Sequence, residues 1–233
     1  MAAEKLLRLS GTSSTRRAAG TMRLKRLIKP PAQPVVLDSQ KKDRADEMRI
    51  ILASASPRRK ELLNEIVSDF EVIPSRSEER ADQKLAPEKI VEELAKQKAE
   101  SVFAEHRDAL VIGADTIVYF QGKVLGKPKD AQDAKKTLRA LSGRTHSVYT
   151  GWCICKGDRE ETGFCRSDVT FRELSEDFIE EYVKSGSPLD KAGSYGIQDD
   201  ARLVEKYEGS YTNIIGLPLE EMKAQLRGFG VIS

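Results

Sequence analysis

The chain has 233 residues, 39% of them apolar, enough to bury one sizeable core or to build a single domain as two lobes around a cleft. Its apolar stretches fall far short of the roughly 20 residues that a membrane span needs, so no membrane partner is expected. The net charge of +2 is unevenly spread: residues 1–47 hold 11 Lys/Arg against 5 Asp/Glu, which leaves −4 on the remainder and argues against a general nucleic-acid-binding surface there.

In chain order, Arg8, Arg16, Arg17, Arg23, Lys25, Arg26 and Lys29 come first, with Ser10, Ser13, Ser14 and the single acid Glu4. This composition suits an organelle transit peptide for a mitochondrion or plastid, and equally a disordered tail. Pro30-Pro31-Ala32-Gln33-Pro34 reads as a linker. The expected organisation is a basic leader over 1–47, a folded domain over 48–228 and a short tail over 229–233. A nucleic-acid-binding module would rest on the leader alone.

The run Arg49-Ile50-Ile51-Leu52-Ala53 predicts a short strand, and Lys60-Glu61-Leu62-Leu63 with Ile66 and Val67 predicts a helix. Between them lies Ser54-Ala55-Ser56-Pro57-Arg58-Arg59. Ser56 is placed as N-cap and Pro57 as the first helical residue. Free amides, the positive helix end and two guanidinium forks then face one spot, which suits a polyphosphate. A capped helix start with two solvated arginines has the same local pattern.

Ser77-Glu78-Glu79 offers carboxylates that can help hold a divalent ion, although acidic loop pairs are usually only solvated. Pro87 to Phe103 places Ile90, Val91, Leu94, Ala95, Ala99 and Val102 on one helical face, with Lys98 inside the stripe. That lysine either snorkels past its neighbours or meets an anion. Leu110 to Thr116 reads as a buried strand that delivers Asp115 at its end, where open α/β sheets bind ligands. Gln121-Gly122 predicts a hairpin turn, followed by Val124-Leu125-Gly126-Lys127-Pro128. Lys127 is either a phosphate ligand or a solvated turn residue.

Asp130 begins a helix with Ala131, Ala134, Leu138 and Leu141 on one face. Ser147 to Cys155 and Thr162 to Phe171 predict an antiparallel hairpin around Lys156-Gly157-Asp158, and Ser175 caps a helix with Phe178, Ile179, Tyr182 and Val183 inward. Three cysteines leave at least one unpaired, which fits a reducing compartment. Cys153 and Cys155 share a strand face, and Cys165 is expected across from them. Without metal-ligand spacing, core packing is favoured over zinc. His146 is a candidate hydrogen-bonding member of the pocket. No nucleophile with an adjacent base is visible.

Six motifs occur in order: Ser54-Ala55-Ser56-Pro57-Arg58-Arg59, Gly113-Ala114-Asp115-Thr116, Gly126-Lys127-Pro128, Leu141 to His146, Asp190 to Gln198, and Gly216-Leu217-Pro218-Leu219. Together they closely resemble the Maf-like nucleoside triphosphate pyrophosphatases, also called septum-formation-like proteins, from about Met48 to about residue 228. The resemblance implies an elongated mixed α/β sheet flanked by helices, the fold of the inosine triphosphatases. It implies hydrolysis of a nucleoside triphosphate to the monophosphate and pyrophosphate with a divalent metal (Mg2+, Mn2+ or Co2+), in a cytoplasmic homodimer.

By position, Asp115 matches the family's proton acceptor, and Arg58, Thr116 and Gln198 match positions of base selection. Arg59, Lys98 and Lys127 match basic residues near the phosphates, beside Ser54 and Ser56. Glu79 matches the acidic residue near the metal, which Asp115 would share. Ala-Asp-Thr with Asp-Lys-Ala-Gly and Ile-Gln resembles the branch acting on dTTP and UTP, with modified pyrimidine nucleotides as further candidates. The chain departs from the family in Asp199-Asp200, where a glycine usually follows Ile-Gln. The competing function is a nucleotide-sensing regulator without turnover, against which the retained Asp115 speaks.

Overall fold

The computed structural model describes residues 48–78, 80–82 and 84–233. The basic leader and Glu79 therefore lie outside the described residues. No helix among the described residues is long and apolar enough to cross a membrane.

The elements follow their local signals closely. Strand β1 (Ile50–Leu52) leads into α1 (Pro57–Asn64), which opens with Ser56 as N-cap and a proline in its first turn. After β2 (Glu71–Val72), α2 spans Pro87–Phe103 with Ile90, Val91, Leu94, Ala95, Ala99 and Val102 buried. The strand predicted to deliver Asp115 runs on through Phe120 as β3 (Leu110–Phe120) and turns into β4 (Lys123–Leu125). Gln121 and Gly122 both have positive φ, the conformation of a tight type I′ hairpin turn. Next come α3 (Ala131–Leu141), capped by Asp130, and the hairpin β5 (Thr145–Lys156) and β6 (Arg159–Phe171). Helix α4 (Glu176–Lys184) is capped by Ser175, two 3-10 turns follow over Ser187–Asp190 and Ala192–Ser194, and β7 (Val204–Glu208), α5 (Tyr211–Ile215) and α6 (Leu219–Gly228) complete the chain.

The seven strands form one mixed sheet in the order β2-β1-β3-β5-β6-β7, with β4 also on β3. Strands β2, β1 and β3 are parallel and the remaining pairings antiparallel. Strand β5 occupies one edge of β3 from Val111 to Tyr119. The opposite edge is divided: β1 takes Leu110 to Ile112, and β4 takes Val118 to Phe120. Among the described residues, 113–117 of β3 therefore have no strand neighbour on that edge.

Side chains of a strand alternate between faces, and β3 shows what each face meets. Leu110, Ile112 and Ala114 pack with Leu62 and Leu63 of α1 and with Met222 and Leu226 of α6. Farther along that face, Val118 joins Leu138 of α3 and Ile179 of α4 in a second core. Helix α2 covers the other face, where Val111 packs with Ala95 and Ala99, and Ile117 with Val91 and Leu94. Cys153 and Cys155 lie under α2, their sulfurs 3.7 Å apart. Cys165 does not lie across from them. Its partner is Thr150, so it points to the opposite face, because facing residues of an antiparallel pair share a side.

Candidate active site

The divided edge of β3 opens a cleft of about 380 Å3, a size suited to a small ligand. Ala53 still donates its amide to Ile112 O at 2.8 Å, and the chain then turns away. Ser54 Oγ accepts from the Ser56 amide at 3.2 Å, and Ser56 Oγ accepts from the Arg59 amide at 3.4 Å. The Arg59 guanidinium donates to Gly216 O and Thr116 Oγ1, both at 2.8 Å, and to Ser54 Oγ at 3.4 Å. Thr116 is itself held. Its hydroxyl meets Thr150 Oγ1 at 2.9 Å, and Thr150 donates to Asn213 O at 2.9 Å. Fully buried Asn213 donates to Val148 O and Ser167 Oγ.

On the other face, α2 lies flush against the sheet. A Cβ on Gly113 would fall 2.4 Å from Ala95 O, and one on Gly151 would fall 2.2 Å from Val91 O. This close approach carries Lys98 to Asp115, where Nζ donates to Oδ1 at 2.5 Å. Asp115 and Thr116 are consecutive residues, so they emerge on opposite faces of β3 at the open edge. One meets a lysine of α2 and the other an arginine of α1.

The far rim comes from the loop bearing Lys127 and from the segment after α4. Gly193 donates its amide to Gly126 O at 3.1 Å and so ties the two together. Asp190, Lys191, Tyr195, Ile197 and Gln198 line this side. Arg58 Nη1 approaches Asp190 Oδ2 at 3.4 Å, and Lys191 Nζ donates to Asp190 Oδ1 at 2.9 Å. Burial opposes ionisation of Asp190, but Lys191 and Arg58 outweigh it and hold the carboxyl below its usual range.

The cleft thus gathers Ser54, Ser56, Arg58, Arg59, Lys98, Asp115, Thr116, Lys127 and Gln198. Glu79 lies outside the described residues. Glu78, its neighbour in the acidic run, is turned to Arg80 and does not line the cleft. His146 stands behind the wall: it is buried, absent from the lining, and its Nε2 meets the hydroxyl of the lining residue Tyr195 at 2.8 Å. Asp190, Lys191, Thr150 and Asn213 were not singled out from sequence, although the Asp-Lys pair lies within a recognised motif. Among the described residues, Cys153, Cys155 and Glu160 are a group of three side chains close enough to share an ion, and none of them lines the cleft.

Residues 49–229 match the model of the Maf-like protein family. The chain belongs to that family. It is similar to the dTTP/UTP pyrophosphatase of Bacillus velezensis, 48% identical over 184 residues that make up 78% of this chain and 97% of the relative. A similar protein from Thermococcus gammatolerans, also named dTTP/UTP pyrophosphatase, is 46% identical over 186 residues, 79% of this chain and 99% of the relative. Among solved structures, the Staphylococcus aureus Ham1 protein is similar at 14% identity with a TM-score of 0.47, over 77% of this chain and 98% of that one.

Proposed function

We propose that this Maf-like protein hydrolyses dTTP and UTP to the monophosphates and pyrophosphate in the cleft at the divided edge of β3. The observation that carries the reading is the pair Asp115 and Thr116, which presents a carboxylate beside Lys98 and a hydroxyl beside Arg59 at one opening. The two relatives named dTTP/UTP pyrophosphatase, which this chain matches over nearly their whole length, support the substrate assignment.

In this reading a water oxygen attacks the α-phosphorus, and the bond from that phosphorus to the α-β bridging oxygen breaks. Pyrophosphate leaves with the bridging oxygen, and Asp115 accepts the proton of the water. Arg59, Lys98 and Lys127, with the hydroxyls of Ser54 and Ser56, bind the phosphates and balance the leaving charge. Arg58 and Gln198 select the base, since one amide offers both a donor and an acceptor to a pyrimidine edge. Thr116 contributes by fixing the guanidinium of Arg59.

A divalent cation fits the donors of the cleft, which are hard oxygens: the Asp115 carboxylate and the serine hydroxyls, alongside phosphate oxygens of the substrate. A carboxylate has more acceptor sites than one lysine occupies, so Asp115 can hold the ion, and the family resemblance supports Glu79 as a second ligand. Magnesium, manganese or cobalt there would neutralise phosphate charge and make the water a better acid. The family resemblance also supports a homodimer in the cytoplasm.

The test is pyrophosphate release from a panel of nucleoside triphosphates with magnesium or manganese, with Asp115→Asn alongside. Turnover of dTTP and UTP that collapses in the variant is the expected result. Binding without turnover across the panel would instead favour a nucleotide sensor.

A further inference from the structure

Asp199 follows Gln198 but does not line the cleft. Its side chain turns inward, 19% exposed, and joins α4 to two points of the segment that follows it. Its Oδ2 accepts from the Tyr182 hydroxyl of α4 and from Ser187 Oγ, each at 2.6 Å, and lies 3.5 Å from Lys191 Nζ. The Asp199 amide donates to Gly196 O at 3.0 Å, closing a tight turn that carries Ile197 and Gln198 at its apex. The amide of Gly196 in turn donates to the Tyr182 hydroxyl at 3.1 Å. A side chain on Gly196 would meet Asp199 Oδ1 at 2.7 Å, so turn and carboxylate are packed against each other.

From Lys191 the chain of charges continues to the cleft. The Lys191 side chain is only 11% exposed, and a nearly buried ammonium requires compensating charge. Two carboxylates supply it, Asp190 at 2.9 Å and Asp199 at 3.5 Å. Asp190 is also the partner of Arg58, at 3.4 Å. Part of the Lys191 charge is met by Asp199, which leaves Asp190 available to Arg58. Without Asp199, Lys191 draws on Asp190 more strongly and competes with Arg58 for it.

We infer that Asp199 is a positioning residue for nucleobase selection, placing the Arg58 guanidinium through Lys191 and Asp190, and the Gln198 amide through Tyr182 and Gly196. The inference rests on the proposed function of the cleft. It concerns the rim, whereas Asp115 and Thr116 stand on β3.

The experiment compares the full-length protein with Asp199→Gly and the near-isosteric Asp199→Asn, measuring kcat and KM separately for dTTP, UTP, dCTP and GTP, together with the melting temperature. Asp199→Gly should lower the ratio of kcat/KM for dTTP over dCTP about tenfold, mainly through KM, with kcat on dTTP within about threefold of the parent. Asp199→Asn keeps an acceptor for Tyr182 but loses the charge opposite Lys191, so it should fall between parent and glycine variant, and it serves alone if the glycine variant does not fold. A lower melting temperature with the base preference unchanged in both variants would assign Asp199 a structural role and overturn the inference. Absence of turnover in the parent would overturn the proposed function instead, and the positioning role with it.

Discussion

Lys98 Nζ donates to Asp115 Oδ1 across 2.5 Å, between side chains that are only 11% and 12% exposed. The proposed proton acceptor is thus paired with a cation before any substrate arrives, and a triphosphate brings oxygens that compete for that cation. Removing one member of a nearly buried pair takes a charge-assisted hydrogen bond from the other, at a cost of about 2 kcal/mol. Asp115→Asn is accordingly expected to lower kcat by more than about 10³ and to lower the melting temperature as well. The double substitution Lys98→Met with Asp115→Leu should recover much of that temperature and none of the activity. Thermal melts and pyrophosphate release on the same preparations separate the two effects. A double variant that turned over dTTP would remove Asp115 from the chemistry.

Arg59 reaches Thr116 Oγ1 and Gly216 O with two nitrogens of one planar group, a geometry that lysine cannot reproduce. Arg59→Lys should therefore cost about 10² in kcat/KM even though the charge is kept. Steady-state kinetics with dTTP decide this, and near-parental rates would mean that charge alone suffices.

The contact of α2 with the sheet is tested at Gly113. An alanine there places its methyl carbon 2.4 Å from Ala95 O, so the helix backbone must move. Overpacking of this kind costs about 1–3 kcal/mol. Because Lys98 rides on the same helix, kcat should fall in parallel. Gly228→Ala, whose new carbon would meet nothing closer than 3.6 Å, should leave both stability and rate unchanged. Urea melts and initial rates on the two variants make the comparison.

Burial lowers the pKa of His146 from the ordinary 6.5 to about 4. The unfolded chain binds a proton as pH falls through 6.5, whereas the folded chain resists until near 4. The stability that accompanies the neutral imidazole is present above pH 6.5 and is lost progressively between 6.5 and 4, about 2 kcal/mol of it by pH 5. His146→Gln should flatten this dependence. Urea midpoints at pH 7 and pH 5 for both proteins check it, and parallel losses in the two would assign the acid sensitivity to other groups.

Much of the site was legible because its signals are local. Ser56-Pro57 marks a helix start in two residues, and the Pro87–Phe103 stripe made Lys98 conspicuous as a cation among apolar positions, which the structure resolves by pairing it with Asp115. What could not be read depends on partners far away in sequence. The split of one β3 edge between β1 and β4 is a matter of register, as is the placement of Cys165 beside Thr150. Thr150 and Asn213 carry no signal of their own. A threonine in a β-strand and an asparagine after Ser-Tyr-Thr are unremarkable until folding brings them beneath Thr116. The same holds for Asp199, which as sequence is only a missing glycine.

The stretch of β3 that lacks a strand on one side is in unbroken register with β5 on the other, residue by residue from Gly113 to Ile117. Asp115 and Thr116 therefore stand on a floor that cannot shift without breaking the middle of the sheet. The far rim is made of short turns and loops, held by side-chain contacts and isolated backbone bonds rather than by a ladder. On the proposed function, this separates what the protein can change from what it cannot: substitutions after α4 should retune which nucleotide is accepted, while the bond that is cut stays the same.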